Sequence, residues 1–327
     1  MKTIAFFNNK GGVGKTSLAY HLAWMFSERG LRTIVADFDP QANFTSMCLT
    51  EDCLEKIWQG SPRQTILGAI APLKKGIGDV GPIEIESVSS RLALIVGDLA
   101  LSEFEDDLST EWPKCLEGNE RSFRVVTSLF RVLSRSAQSH GAEVAVIDVG
   151  PNLGAVNRSA LLCADYVVVP VAADLFSIQG LENVGPKLRE WRNQWIDRRN
   201  RSPVLDFSLP TGTMTPLGYV IARHSVRLDR PVKAFQKWIE RLPGVYAKSI
   251  LSQSLPTDVA GEDPNRLARM KDYRSLMPMA QEANKPMFLL KPADGAIGGH
   301  QAAVQECYGD FLGLAKKIGN KVGIAVP

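Results

Sequence analysis

Lys10-Gly11-Gly12-Val13-Gly14-Lys15-Thr16 is the most informative stretch of this 327-residue chain. The apolar residues at 4–7 before it predict a buried strand. Behind it, apolar residues recur at helical spacing from Leu18 to Phe26, and Gly30 supplies a stop, so a helix is predicted there. The stretch is therefore a glycine-rich turn that joins a strand to a helix.

The residue types of this turn suit a bound triphosphate. Backbone N–H groups of a glycine turn curl around phosphate oxygens, and the following helix adds its positive dipole end. Glycine accepts backbone angles with φ > 0 and leaves room for the phosphates. We expect Lys15 to reach the β and γ phosphates and the Thr16 hydroxyl to ligate Mg²⁺. The predicted nucleotide-binding residues are Lys10, Gly11, Gly12, Val13, Gly14, Lys15, Thr16 and Ser17.

The start of the loop departs from the usual phosphate-loop pattern, because Asn9 stands where that pattern has its first glycine and a second lysine, Lys10, follows. A glycine turn without a ligand would need neither lysine. Here the sequence resembles the deviant Walker A ATPases, the family of ParA and MinD, whose loop carries an early signature lysine. The resemblance implies a homodimer that encloses ATP between its subunits, with Lys10 acting as a catalytic residue on the partner's nucleotide.

Two carboxylates follow the predicted strand at 32–37. Asp37 and Asp39 lie at its carboxyl end, the edge where α/β sheets bind ligands, although such a pair can also cap the next helix. Residues 37–41 are similar to the second motif of ParA proteins, Asp-x-Asp-Pro-Gln. The resemblance implies that Asp39 orients the attacking water and that Lys15 and Asp39 share the catalysis with Lys10.

A third carboxylate, Asp148, ends the apolar run 144–147. It is similar to the family's Walker B aspartate, and the alternative is a helix N-cap. Mg²⁺ prefers octahedral oxygen ligands and keeps several of its own waters, so Asp148 is expected to hold it through water. The predicted magnesium ligands are Thr16, Asp39 and Asp148.

The alternation of strands and helices predicts an α/β fold, with a doubly wound, mostly parallel sheet and helices on both faces. The candidate strands are 3–7, 32–37, 92–96, 144–148, 166–171 and 216–221. With 45% apolar residues and no visible linker, residues 1–327 are predicted to be a single ParA-like domain. Insertions are predicted at about 51–88 and about 105–122, because these stretches look longer than a minimal family member needs.

The cysteines and the chain start indicate a cytoplasmic protein. The 5 cysteines are odd in number and lack metal-ligand spacing, as expected of reduced thiols. Their settings also argue against an iron–sulfur reductase of the nitrogenase iron-protein type. The first residues already form strand and loop, without a signal peptide, and the chain lacks a bilayer-length apolar stretch. His21 is expected to pack on the first helix.

Slow ATP hydrolysis would suit a switch whose ATP state lives long enough to bind a target. The resemblance implies partition of plasmid or chromosomal DNA by ATP-gated nonspecific DNA binding, a ParB-like or other activating partner, and association with the nucleoid.

The formal net charge is only +3. A basic stretch with Trp191 and Trp195 interleaved is a candidate DNA contact, and the alternative is a solvated helix with inward tryptophans. Its cations are Lys187, Arg189, Arg192, Arg198, Arg199 and Arg201.

Two other functions stay open at this point. A membrane-associated positioning ATPase like MinD would use a C-terminal amphipathic helix, which residues 311–321 could imitate, although membrane contact is not expected. A nucleotide-gated adaptor of a multi-protein machine would bind ATP without appreciable hydrolysis. A second basic group is a further candidate for DNA contact: Arg266, Arg269, Lys271 and Arg274.

Overall fold

The computed structural model describes residues 1–60, 63–224, 226–227, 230–231, 233–254, 263–273 and 275–327. The strands are β1 (Lys2–Phe6), β2 (Thr33–Asp37), β3 (Glu86–Ser87), β4 (Leu92–Ile95), β5 (Val144–Asp148), β6 (Tyr166–Val171), β7 (Thr215–His224), β8 (Val226–Arg227), β9 (Arg230–Pro231) and β10 (Arg266–Lys271).

The larger helices alternate with these strands. They are α1 (Lys15–Glu28), α2 (Asn43–Cys48), α3 (Glu51–Gln59), α4 (Ile66–Lys74), α5 (Glu105–Lys114), α6 (Glu120–Val126), α7 (Ser128–His140), α8 (Ala155–Leu162), α9 (Leu175–Arg199), α10 (Lys233–Val245), α11 (Met277–Glu282) and α12 (Gly299–Val322). Shorter helical turns cover Leu99–Phe104, Cys115–Glu117, Tyr246–Ile250, Met287–Leu289 and Pro292–Asp294.

The main sheet has the order β10-β7-β6-β1-β5-β2-β4-β3 among the described residues, and β8 pairs with β9 separately. Every neighbouring pair in the main sheet is parallel except β3 with β4. The predicted α/β fold with a mostly parallel sheet is confirmed. The loop that follows β1 opens at the carboxyl edge of the sheet. Since β1 lies between β5 and β6, and β2 is the next strand beyond β5, this loop lies beside the ends of β5 and β2.

Helices cover both faces of the sheet, and β1 shows how the chain divides them. Ile4 and Phe6 point into the core that α1 and α12 build on one face. Ala5 and Phe7 point into the core of the other face, which α7, α8 and α9 cover. A strand buried on both sides needs a continuous apolar run, and residues 4–7 form such a run, which made this strand predictable from the sequence.

The predicted strand positions are close to the observed ones, but β3 and β10 of the main sheet and the separate β8–β9 pair were not predicted. β7 extends beyond its predicted end to His224. β3 has only 2 residues, too few for a recognisable pattern. β10 has the sequence Arg-Leu-Ala-Arg-Met-Lys, whose cations resemble a surface segment, although Leu267 and Met270 are buried. An edge strand keeps one side in solvent and so tolerates such charges.

The two stretches predicted as insertions are folded and attached to the core. Within 51–88, α3 is fixed by the Trp58 indole, whose N–H donates to the Gly97 carbonyl at 3.2 Å. Within 105–122, α5 buries Leu108 and Trp112. That they are additions to a smaller family fold stays a prediction.

The apolar side of α12 packs inside the protein. Phe311, Leu314, Ala315 and Ile318 are buried in the core shared with α1. None of the helices in the described part of the chain has the length and apolarity to cross a bilayer.

His21 fixes α1 to the segment before α12, as its predicted packing on the first helix requires. Its Nδ1–H donates to the Ser17 carbonyl at 2.7 Å, and its Nε2 accepts the Met287 backbone N–H at 3.1 Å. The ring stacks on Phe311 with centroids 4.9 Å apart. Complete burial lowers the pKa of His21 to about 4, so the ring is neutral near pH 7.

We expect this histidine to make the folded state acid-sensitive. The pKa of an unfolded-chain histidine is about 6.5, so between pH 6.5 and pH 4 the unfolded chain binds a proton that the folded chain excludes. The contribution is therefore complete above about pH 6.5 and is lost as the pH falls toward about 4. Between pH 7 and pH 5 the free energy of unfolding should fall by about 2 kcal/mol from this residue.

Urea titrations of the wild type and of His21→Gln at both pH values measure this loss. The wild type should lose about 2 kcal/mol more than the variant, because the glutamine does not titrate. Equal losses in the two proteins would show that His21 is not excluded from protonation.

Candidate functional site

The glycine loop has the geometry that an anion requires. Gly12 and Gly14 have φ of 73° and 79°, a left-handed conformation that side chains disfavour. Gly14 is the N-cap of α1 and offers no side-chain cap, so the first N–H groups of this helix are open to a ligand. A Cβ built on Gly11 or Gly12 would meet no other atom within 4 Å, so the space over the loop is free.

The loop forms the floor of a cavity of about 420 Å³. Of the predicted site residues, Gly11, Gly12, Gly14, Lys15, Thr16, Ser17 and Asp39 line it. The rest of the wall consists of residues that were not predicted: Gln41, Asn43, Ser46, Met47, Pro151, Met277 and Gln281. Met277 and Gln281 follow β10, which the sequence analysis did not identify as a strand, so no sequence signal placed them at this edge.

Lys15 is held under the loop. Its side chain is nearly buried, with 7% of the residue exposed, and its ammonium donates to the Lys10 carbonyl at 3.1 Å. Burial lowers the pKa of Lys15, while the negative charges of Asp148 and Asp39 oppose that change. The ammonium therefore stands between the loop and the two carboxylates predicted to act with it.

Asp37 and Asp148 lie side by side because β2 and β5 are adjacent and these residues are partners in register. Asp37 accepts the Thr45 backbone N–H at 2.8 Å and the Thr45 hydroxyl at 2.7 Å. Burial raises the pKa of Asp37 to about 7. These hydrogen bonds hold the Asp37 carboxylate in place beneath the site, so we assign it a structural role.

Asp148 is buried, and neither of its carboxylate oxygens has a hydrogen-bond partner within the described residues. Burial raises the pKa of Asp148 well above its ordinary value, and the charge of Asp37 adds to this. The nearby Thr16 hydroxyl and the charge of Lys15 oppose it. A buried, unpartnered carboxylate is costly unless a cation satisfies it. The residues therefore fit a magnesium ion, with Thr16 and Asp148 as the groups that would hold it.

Asp39 is positioned beside the loop that follows β5. Its Oδ1 accepts the Gln41 backbone N–H at 3.0 Å. The same oxygen lies 3.1 Å from where a Cβ on Gly150 would be, so the two loops are in close contact. Asp39 lines the nucleotide cavity, as its predicted role at the attacking water requires, and that role stays a prediction.

Lys10 does not point into the cavity in this structure. Its ammonium pairs with the Asp174 carboxylate, at the N-cap of α9, and lies 3.5 Å from the Ser177 hydroxyl. Partial burial opposes ionisation of Asp174, yet hydrogen bonds from Lys10 and Ser177 hold its pKa below the ordinary value. Beside this ion pair, Phe176 is 67% exposed. In the single chain the second lysine of the loop is therefore bound to its own subunit.

The basic stretch of α9 does not form one free face. Arg198 is only 6% exposed, and its Nε donates to the Trp112 carbonyl at 2.8 Å. Trp191 and Trp195 are buried, as the alternative interpretation of this stretch expected of the tryptophans. The other cations also have partners in the protein: Arg189 with the Ser249 and Ile250 carbonyls, Arg192 with Met214, Arg199 with Thr211, Arg201 with Leu116, and Lys187 with Glu190.

These contacts correct the prediction for Arg198, which cannot present its guanidinium to a phosphate from a buried position. For the other five cations, contact with DNA stays a prediction. In the second basic group, Lys271 pairs with Glu306 at 2.8 Å. Arg274 lies outside the described residues.

A glycine loop at the carboxyl edge of a doubly wound sheet, with carboxylates at the ends of the flanking strands, is the arrangement typical of P-loop proteins. The family model described as AAA domain matches residues 1–199. The chain belongs to this family and resembles ParA-type proteins.

Two relatives and one solved structure illustrate the similarity. Protein IncC of Escherichia coli is 33% identical over 184 residues, which cover 56% of this chain and 44% of IncC. Cell division protein PomZ of Myxococcus xanthus is 31% identical over 180 residues, 54% of this chain and 48% of PomZ. The match thus spans less than half the length of either relative.

The structure of a plasmid partition protein from Borrelia burgdorferi B31 bound to AMPPNP has a TM-score of 0.59. It covers 96% of this chain and 97% of that one, at 19% identity. At this identity the similarity supports the shared fold.

Asp148→Asn should separate stability from magnesium binding. Asparagine keeps the shape of the side chain and removes a buried negative charge next to Asp37, so the nucleotide-free protein should gain about 1 kcal/mol in free energy of unfolding. The same change removes the anionic ligand, so the further stabilisation that Mg²⁺ gives to the ATP-saturated protein should disappear.

Thermal unfolding with ATP alone and with ATP plus Mg²⁺ tests this. Asp206→Asn is the matched control, because that carboxylate is 71% exposed and pairs with Arg124 away from the cavity. A full magnesium response in Asp148→Asn would contradict the assignment of this carboxylate.

Proposed function

We propose that the protein is an ATP-dependent dimerising switch that hydrolyses ATP slowly with Mg²⁺. The observation that carries this proposal is the unpartnered, buried Asp148 carboxylate next to Lys15 beneath an open glycine cradle. A protein under selection for stability alone would not retain such an arrangement. A triphosphate and its magnesium ion supply the missing partners.

The proposed roles follow from phosphoryl transfer, which depends on positioning and on neutralising charge. The loop amides and Lys15 hold the β and γ phosphates. Thr16 and Asp148 hold the magnesium ion, which neutralises phosphate charge when bound. Asp39, between Gln41 and Gly150, orients the attacking water. Lys10 completes the charge neutralisation from the partner subunit. A lysine offers one point charge without the bidentate fork of arginine, so slow turnover is expected.

Dimerisation would require Lys10 to exchange partners. In the single chain it is paired with Asp174, and in the proposed dimer it reaches the partner's nucleotide. The ion pair is partly exposed, so exchanging it for a phosphate contact costs little. The exposed Leu175 and Phe176 lie next to Asp174 and would be covered by the same subunit contact.

The proposed cargo is DNA or a large assembly that the ATP dimer positions, with hydrolysis stimulated by a ParB-like or other activating protein. Support comes from the relatives, one of which is a cell division protein. A MinD-like membrane helix is not proposed, because the apolar side of α12 is buried in the core. A nucleotide-gated adaptor would bind ATP without releasing phosphate, so an assay of phosphate release distinguishes it from the proposed switch.

Three variants should separate binding, dimerisation and turnover. Lys15→Ala should lose ATP binding, because it removes the cation under the phosphates. Lys10→Ala should bind ATP as a monomer with a Kd within roughly twofold of wild type but lose dimerisation or turnover. Asp39→Ala should accumulate the ATP dimer, because water is no longer oriented.

Light scattering after size exclusion and phosphate release measure these outcomes. If Lys10→Ala dimerised and hydrolysed ATP at the wild-type rate, the role of the second lysine would be wrong. If the wild type bound ATP and released no phosphate, the adaptor function would replace the proposed switch.

Duplex DNA binding should depend on both nucleotide and salt. We expect the ATP state to bind, with log K falling linearly against log salt concentration, and the ADP and nucleotide-free states to bind much more weakly. Binding that ignored both variables would contradict the DNA part of the proposal. Binding to anionic liposomes without binding to DNA would favour the MinD-like function instead.

A further inference from the structure

The loop that follows the magnesium carboxylate is fixed by a residue from another helix. Residues 149–154 connect Asp148 to α8, whose N-cap is Gly154 and has no side chain to cap the helix. Both carboxylate oxygens of Glu105, the first residue of α5, accept N–H groups of α8 instead. One accepts from Ala155, and the other accepts from Val156 at 2.8 Å. An anion at a helix N-terminus is favoured by the helix dipole as well.

Close packing around Gly154 shows that this cap is built into the fold. A Cβ on Gly154 would lie 2.6 Å from the Glu105 Oε1 and 3.0 Å from the Asn152 Oδ1. The φ of Gly154 is −80°, which any residue can adopt. The glycine is therefore required by the approach of the carboxylate, and a larger residue would push Glu105 away from the helix.

The same helix holds the other end of the loop. The Asn157 Nδ2 on α8 donates to the Gly150 carbonyl at 2.9 Å and to the Asn152 carbonyl at 2.8 Å. Pro151, between those two residues, lines the nucleotide cavity. Gly150 packs against the Asp39 carboxylate. A shift of α8 would therefore move Gly150 and Pro151 relative to Asp39.

We propose that Glu105 is a positioning residue for ATP hydrolysis: by holding the N-terminus of α8 it fixes loop 149–154 against Asp39 and the part of the cavity wall that Pro151 forms. Glu105 does not line the cavity and acts through α8. The inference deepens the proposed function and rests on it. It also gives the segment at about 105–122 a direct connection to the site, because Glu105 is where α5 begins.

Glu105→Gln tests the inference with a minimal change. The amide has one acceptor oxygen, and its NH₂ group would face a backbone N–H, so one of the two caps is lost. We expect kcat to fall about tenfold while the KM for ATP changes less than about twofold, because the loop is misaligned and the phosphate cradle is intact. Amide hydrogen exchange in a peptide covering 149–160 should become faster.

Glu103→Gln is the matched control. It lies two residues away, is exposed, and pairs with Lys74 at 2.8 Å, so its kcat and exchange should equal those of wild type. Gly154→Ala is a second variant, which displaces Glu105 without removing it and should give the same separation of kcat from KM. Its effect should not add to that of Glu105→Gln, because both act on one contact.

The outcomes distinguish the two proposals. If the wild type hydrolyses ATP and both Glu105→Gln and Gly154→Ala keep its kcat, the positioning role is wrong and the switch stands. Losses in both variants that appear only as weaker ATP binding or as global unfolding would also overturn it, because they indicate a merely structural cap. If the wild type neither binds nor hydrolyses ATP, the proposed function fails and takes this inference with it.

Discussion

The buried Asp148 carboxylate is the unfavourable group around which the site is arranged. It has no hydrogen-bond partner in the described residues and lies beside Asp37, a second buried acid. Protein interiors rarely keep such a group, because its desolvation costs several kcal/mol. The Lys15 ammonium and the Thr16 hydroxyl compensate for part of that cost. The site therefore suits a ligand that brings both a cation and phosphates. The stability of the surrounding fold compensates for the cost of this buried carboxylate.

The fold places these groups through the parallel sheet. Adjacent β1, β5 and β2 end at the same edge, so the glycine loop, Asp148 and Asp37 converge although they are far apart in sequence. The cores on both faces of the sheet pack against these strands. Loop 149–154 begins at Val149, which is buried in one of these cores, and Asn157 holds Gly150 and Asn152 by hydrogen bonds. The Lys10 ion pair is a polar contact of the kind that a nucleotide or a second subunit can replace.

Much of this could be predicted from the sequence, where local pattern and function coincide. Residues 10–17 and the strands ending at Asp37 and Asp148 are signalled by apolar runs followed by glycine or carboxylate. Sequence patterns do not give partners across the fold. Glu105 resembles any acid at a helix start, β10 resembles a charged surface segment, and Arg198 resembles a DNA-binding cation. Only tertiary packing shows that the first caps α8, the second extends the sheet and the third is buried against Trp112.

The most direct test is a crystal structure of the protein with AMPPNP and Mg²⁺. We expect the triphosphate in the loop 10–17 with Lys15 against it, and the metal on the side of Thr16 and Asp148. We also expect two copies facing each other, with each Lys10 released from Asp174 and directed at the partner's phosphates. An empty loop, or Lys10 still paired with Asp174 in a nucleotide-filled dimer, would show that the proposed switch is wrong.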